Sequence, residues 1–94
     1  MNIQHKTGAS KGSFFIEEEG EVKAQLSYSK TGDTGIIIDH TEVSDELRGQ
    51  GIGQALVEHA IAYARKNELA VIPLCPYAKS VIEKDQSLQD VLKK

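Results

Sequence analysis

The sequence predicts an α+β domain with α/β character, a mixed and mostly antiparallel sheet that ends in a parallel strand–helix–strand unit. Three observations carry this reading. Val22, Ala24, Leu26 and Tyr28 alternate with Lys23, Gln25, Ser27 and Ser29, the period of two expected of a strand with one buried face. Ile36, Ile37 and Ile38 form a short apolar run of β-branched residues. From residue 51 to about residue 66 the spacing becomes helical, and a second apolar run over residues 69–75 follows at once.

The elements follow in order. Residues 3–7 are a weak candidate for a first strand. Residues 13–18 form a second strand, and Glu19-Gly20 supplies the turn into the alternating strand that begins at Val22. Residues 30–35, Lys-Thr-Gly-Asp-Thr-Gly, have loop chemistry and deliver the chain into a strand over residues 35–43. Its three isoleucines predict a central strand covered on both faces. In the helix, Ile52, Leu56, Ala60 and Tyr63 make an apolar stripe that Val57, Ile61 and Ala64 widen. Gln54, Glu58 and Arg65 mark the wet side. Arg65 and Lys66 sit in the last turn, where cations suit the helix dipole, and Asn67 can cap it. At about 1.5 Å per residue the helix is about 24 Å long, enough to cross the back of a sheet. The strand over residues 69–75 lies parallel to the one before the helix. Pro76 ends it, residues 77–84 read as a short second helix, and residues 87–92 as a last helical turn or two capped by Ser87.

Length and composition narrow the function. The 94 residues make a single domain over residues 1–94, with no linker or internal repeat. The 39% apolar and 27% charged fractions are those of an ordinary globular chain. Acidic residues outnumber basic ones 14 to 11, for a net charge of −3. No basic face of the kind that releases counterions is visible, so no nucleic-acid partner is expected. The longest apolar runs are too short for a membrane span, and residues 1–6 lack the apolar core of a signal peptide. With one cysteine, Cys75, neither an internal disulfide nor a multi-thiolate metal site is expected. A cytoplasmic protein without a metal, monomeric or weakly dimeric, is the expectation.

The most informative residues are Arg48-Gly49-Gln50-Gly51-Ile52-Gly53, between a strand and a long helix. Glycines are poor material for starting a helix, each costing about 0.5–1 kcal/mol against alanine. Their compensating use is close approach of backbone to a ligand, with amide N–H groups aimed at an anion where the helix dipole is positive. A Walker A loop would need Gly-Lys-Ser/Thr, which is absent. A dinucleotide fingerprint would need G-x-G-x-x-G, but Gly49 and Gly51 are followed by Gln54, and Gly51 and Gly53 by Leu56. About twenty residues on, where that fingerprint has an acidic ribose contact, stand Leu69 and Ala70.

The segment resembles the acyl-CoA pyrophosphate loop of the GNAT superfamily of N-acetyltransferases, whose signature Gln/Arg-x-x-Gly-x-Gly/Ala is matched by Arg48, Gly51 and Gly53. The order of elements from about residue 13 to residue 84 fits that family. The chain is more closely similar to its short members, which carry a His-Thr-Glu-Val strand and a Pro-x-Cys-Pro-Tyr segment. Here these are His40-Thr41-Glu42-Val43 and Pro73-Leu74-Cys75-Pro76-Tyr77. The resemblance implies a minimal GNAT fold and binding of acetyl-CoA or coenzyme A. It places Val43, Arg48, Gly49, Gln50, Gly51, Ile52 and Gly53 on the cofactor, with the pantetheine chain where the two parallel strands splay apart. It also implies transfer of an acetyl group to an unidentified small amine or protein acceptor. The alternative is a non-catalytic acetyl-CoA-binding module, acylated on Cys75.

Four residues are candidates for the chemistry. Cys75 borders the implied thioester, where a thiol can take an acyl group or return a proton to the departing CoA thiolate; a small buried hydrophobe is the competing reading. Tyr77 can protonate the same thiolate through its phenol hydroxyl, or simply pack. His40 and Glu42 stand two apart on a strand and so share a face, where either can deprotonate an amine, directly or through water. His5 and His59 are expected to have no role, and Glu17, Glu18 and Glu19 to be a solvated hairpin end. The family's two helices after the first strand have no counterpart, because residues 7–36 show no helical period. The cofactor half is therefore complete and the acceptor half reduced.

Overall fold

The computed structural model describes residues 2–92. Five strands form one sheet in the order β1 (Gln4–Thr7), β2 (Lys11–Glu18), β3 (Glu21–Thr31), β4 (Gly35–Val43) and β5 (Ala70–Pro73). The first four run antiparallel to their neighbours, and β5 runs parallel to β4. Helix α1 (Ile52–Lys66) joins β4 to β5, and α2 (Pro76–Lys84) follows. No helix among the described residues is long and apolar enough to cross a membrane.

The core lies on one face of the sheet. Leu26, Tyr28, Ile36, Ile38 and Val71 of the sheet meet Leu56, Val57, Ala60, Ile61 and Ala64 of α1, all fully buried. The helical stripe read from the sequence is the buried stripe, and helix length and strand alternation both agree with it. Asn67 caps α1, its side-chain amide donating to the Tyr63 carbonyl at 2.8 Å. On this same face α2 packs beside α1 through Ala78 and Ile82. Among the described residues no helix covers the other face: Ser13, Phe15, Gln25, Ser27, Ser29 and Ile37 are all partly exposed there, and His40 and Glu42 are exposed. Ile37 therefore does not have the double cover that three isoleucines in a row predict.

Two irregularities redirect side chains. Between Ile16 and Glu17 the register with β3 shifts by one, so Lys23 has no partner across the pair. Val22, expected on the buried face, lies beyond that shift and is exposed. The Lys23 ammonium instead meets Glu46 at 2.6 Å and Glu21 at 3.0 Å, and these hydrogen bonds hold its pKa above the ordinary lysine value. Between Ser27 and Tyr28 the register with β4 also shifts, and Asp39 is the extra residue. Ile36 and Ile38 face the core before this bulge. After it Thr41 and Val43 do so, opposite Leu26 and Ala24, and His40 and Glu42 turn to the uncovered face.

Several boundaries differ from the sequence reading. Lys30 and Thr31 extend β3 rather than open the loop, pairing with Ile36 and Gly35. Strand β5 is shorter than residues 69–75. At its start the Leu69 amide closes the end of α1 on the Ala64 carbonyl. At its end the Leu74 and Cys75 amides both turn onto the Ile38 carbonyl, each at 3.1 Å. The final segment, Gln86–Val91, is a 3-10 turn capped by Asp85, whose carboxylate accepts from the Ser87 amide at 3.0 Å, so Ser87 is not the cap. Arg65 straps this turn to α1 through Asp90 and the Ser87 carbonyl.

His5 is not idle. Its ring stacks on Phe14 with centroids 4.1 Å apart, meets Tyr63 edge-on, and places Nε2 2.6 Å from the Tyr28 hydroxyl. Burial, and then the Lys30 charge, lower its pKa. The neutral ring therefore favours the folded state. As pH falls below the unfolded histidine value of about 6.5, the unfolded chain takes up a proton that the native chain resists, and stability drops. Wild type is thus expected to lose stability relative to a His5→Phe variant between pH 7.5 and 5.5, measured by urea unfolding. Truncating Leu56, which is fully buried between helix and sheet, to alanine should cost about 2–5 kcal/mol by the same method.

Candidate functional site

The chain between β4 and α1 is held at both ends before it reaches its glycines. The Ser44 amide donates to the Lys23 carbonyl at 2.7 Å, and a 3-10 turn over Asp45–Leu47 buries Leu47. Arg48 then folds back, its amide on the Asp45 carbonyl and its Nε 3.0 Å from the Asp45 carboxylate. Gly49 and Gly51 both take positive φ, +81° and +73°, a conformation that side chains with a Cβ rarely adopt. Gly53 is glycine for another reason: a Cβ there would stand 2.6 Å from the Tyr77 hydroxyl and 2.8 Å from its ring.

Gly51 caps α1 and brings no side chain to accept from the first turn, which carries no acidic residue either. The first intrahelical bond runs from the Ala55 amide to the Gly51 carbonyl. The amides of Ile52, Gly53 and Gln54 thus precede the helical ladder at its positive end. Of these residues, Ile52 and Gly53 line a cavity of about 420 Å³. Thr41 and Val43 of β4 form one wall with Leu47; Arg48, Gly49 and Gly51 form the rim; Ile52, Gly53 and Tyr77 close the remaining side. A Cβ on Gly49 or Gly51 would meet no atom within 4 Å, so at these positions the backbone, and not crowding, demands glycine. The geometry suits an anion resting on bare main chain, with the Arg48 guanidinium at the rim. Among the cofactor residues expected from the sequence, Gln50 is exposed and stands apart from the cavity wall.

Cys75 is the residue before α2 and is buried. Its Sγ lies 3.6 Å from the Thr41 hydroxyl, which itself lines the cavity. Burial pushes the thiol pKa up, but hydrogen bonds from the backbone of Ala78 and Tyr77 and from Thr41 outweigh it, and the net shift is downward. Tyr77 is half-exposed, with its ring over Gly53. The Asp39 bulge separates the remaining candidates from this group. His40 and Glu42 share a face, as their spacing requires, but it is the uncovered one, where they border a shallow dent with Gln25 and Ser27. Thr41 and Leu47 are the cavity residues the sequence did not single out. Thr41 sits between His40 and Glu42, so a regular strand would have turned it away from the Ile38 face, and only the bulge reverses that. Among the described residues no three His, Cys, Asp or Glu side chains converge as a metal site would require.

Strands β4 and β5 pair only as far as Ile38 and Pro73. Beyond that point the β5-facing edge of β4, residues 39–43, is unpaired, with the cavity on one side of it and the His40–Glu42 dent on the other.

Comparisons with known proteins agree with this arrangement. Residues 13–91 match the family model described as GCN5-related N-acetyl-transferase. A protein from Staphylococcus aureus described as GCN5-like, solved by NMR, is 41% identical and superposes with a TM-score of 0.74, over 98% of this chain and 89% of that one. The ribosomal-protein-S18-alanine N-acetyltransferase from Escherichia coli superposes with a TM-score of 0.67 at 22% identity, over 83% of this chain but 53% of the enzyme. The ribosomal-protein-alanine N-acetyltransferase from Brucella melitensis has the same TM-score at 17% identity, with 62% of its length covered. These two share the fold with this chain, which spans little more than half of each. No curated protein is similar enough in sequence to count as a relative.

The Thr41–Cys75 contact makes a measurable claim. The native thiol should ionise at lower pH than the unfolded one, followed by ultraviolet thiolate absorbance, and Thr41→Val should move that midpoint upward.

Proposed function

Because the chain belongs to the GCN5-related N-acetyl-transferase family, we propose that it binds acetyl-CoA at the glycine corner and transfers the acetyl group to an amine. The observation that carries this reading is the start of α1, where amides without a side-chain cap border a cavity on a backbone that only glycine adopts easily. These features fit a diphosphate, whose oxygens accept from N–H groups and whose charge suits both the helix dipole and Arg48. Coenzyme A supplies the activated acyl thioester; the protein's own groups bind, orient and move protons.

The division of the site by β4 suits acyl transfer. An amine attacks only when neutral, and His40 or Glu42 on the uncovered side can accept its proton, directly or through water. Nitrogen then bonds to the acyl carbon as the carbon–sulfur bond breaks, the sulfur leaves with the electron pair, and the nitrogen gives up its second proton to water. On the cavity side Cys75 or Tyr77 can donate the proton that the thiolate takes up. Base and acid thus stand on opposite sides of one unpaired strand edge, where attacking and leaving groups would also be opposed. The lowered thiol pKa favours a second reading, an acetyl-CoA-binding module acylated on Cys75. In that reaction the Cys75 thiolate attacks the acyl carbon and the CoA thiolate departs, and intact mass after incubation with acetyl-CoA reports the adduct.

Coenzyme A at a hundredfold excess over Kd should stabilise the fold by about 2.7 kcal/mol. Arg48→Ala should weaken that stabilisation and Gly51→Val should abolish it, measured by thermal unfolding with and without ligand. Stabilisation by coenzyme A unchanged in both variants refutes the corner as the cofactor site.

A further inference from the structure

The uncovered face of the sheet bears on what the acceptor is. We propose that it is a primary ammonium carried on another protein, a lysine side chain above all, which docks on this face so that the amine enters the dent between His40 and Glu42. The inference rests on the acyl-transfer reading of the site and adds the acceptor class to it.

Size is the first argument. The dent lined by Gln25, Ser27, His40 and Glu42 holds about 150 Å³. Pockets that enclose small molecules run to about 300–1,000 Å³ and cover most of the ligand surface. A free amine larger than this dent would stand mostly outside it and gain little of the orientation that transfer requires. The cavity on the far side of β4, by contrast, is of ligand size at about 420 Å³. The missing orientation can come from the acceptor if it brings a surface of its own.

Shape and charge supply the rest. The face around the dent is a sheet surface with no helix over it. The register sets Ser13, Ser27 and His40 in one row and Phe15, Gln25 and Glu42 in the next. With strands about 4.8 Å apart, β2 to β4 alone span about 10 Å of low relief beside the dent. Partly exposed Phe15 and Ile37 give this surface apolar footing on either side. No cation lines the dent, and among the described residues no Lys or Arg pairs with Glu42 or with Asp39, whose carboxylate accepts from Ser29 at 2.7 Å. The Lys23 ammonium, which shares the neighbouring cleft with Glu42, is taken up by Glu46 and Glu21, so a positively charged amine is the complement that Glu42 lacks. A free polyamine carries the same charge but has no surface to dock, and this difference separates the two acceptors experimentally.

The test compares three acceptors with acetyl-CoA by thiol release: lysine peptides with randomised flanking residues, spermidine, and free lysine. The peptides should exceed both small amines in kcat/KM by about tenfold or more. Ser13→Arg, two strands from His40 on the same face and outside the chemistry, should lower kcat/KM for the peptides about fivefold while leaving stabilisation by coenzyme A intact. Glu42→Gln should raise the peptide KM. A small amine that equals the peptides, peptide turnover indifferent to Ser13→Arg, or no turnover of any acceptor while coenzyme A still stabilises the fold overturns the proposed acceptor. Absence of stabilisation by coenzyme A sinks the acyl-transfer reading itself.

Discussion

One carbonyl organises the end of the sheet that carries the cavity. Ile38 accepts from the amides of both Leu74 and Cys75, and with that doubled hydrogen bond the parallel ladder between β4 and β5 stops. A carbonyl has two lone pairs, so it can end a ladder without leaving an amide unsatisfied. Past it one chain turns into α2 through Pro76, which has no amide to give, while the other continues as an edge paired only to β3. The gap, the placement of Cys75 beside Thr41 and the exposure of the strand edge between cavity and dent all follow from this divergence.

The Asp39 bulge acts on the same stretch and decides which chemistry faces which side. A single unpaired residue inverts the alternation of everything beyond it. Thr41 and Val43 therefore join the apolar face set by Ile36 and Ile38, and Thr41 reaches Cys75. His40 and Glu42 are placed on the open face, where charged and titratable groups keep their water. In a small domain this also suits stability. No charged side chain among the described residues is buried, and the hydroxyl of fully buried Tyr28 is met by His5 Nε2.

Packing is one-sided as a consequence. A short chain has apolar residues enough for one layer against the sheet, and α1, α2 and the final 3-10 turn all contribute to that layer. The opposite face is left with serines, a glutamine and partly exposed Phe15 and Ile37. Longer proteins of the same fold share it with this chain over little more than half their length. The glycine corner, α1 and β5 are contiguous in sequence and are held by the same core.

The sequence by itself determined the features that depend on neighbours along the chain. The period of two in β3, the helical stripe of α1, its Asn67 cap and the glycines ahead of it are local patterns, legible because each depends on residues a few positions apart. The family resemblance rested on such a stretch. The tertiary structure alone decided what depends on the register between strands distant in sequence. Neither bulge has a signature in Lys23 or Asp39 themselves, so Val22 was assigned to the wrong face and Thr41 went unnoticed beside Cys75, thirty-four residues away. His5 looked like a stray terminal residue until β1 brought it against Phe14, Tyr28 and Tyr63. Three adjacent isoleucines express the preference of their backbone for a strand, but whether a second layer covers them depends on packing between elements distant in sequence.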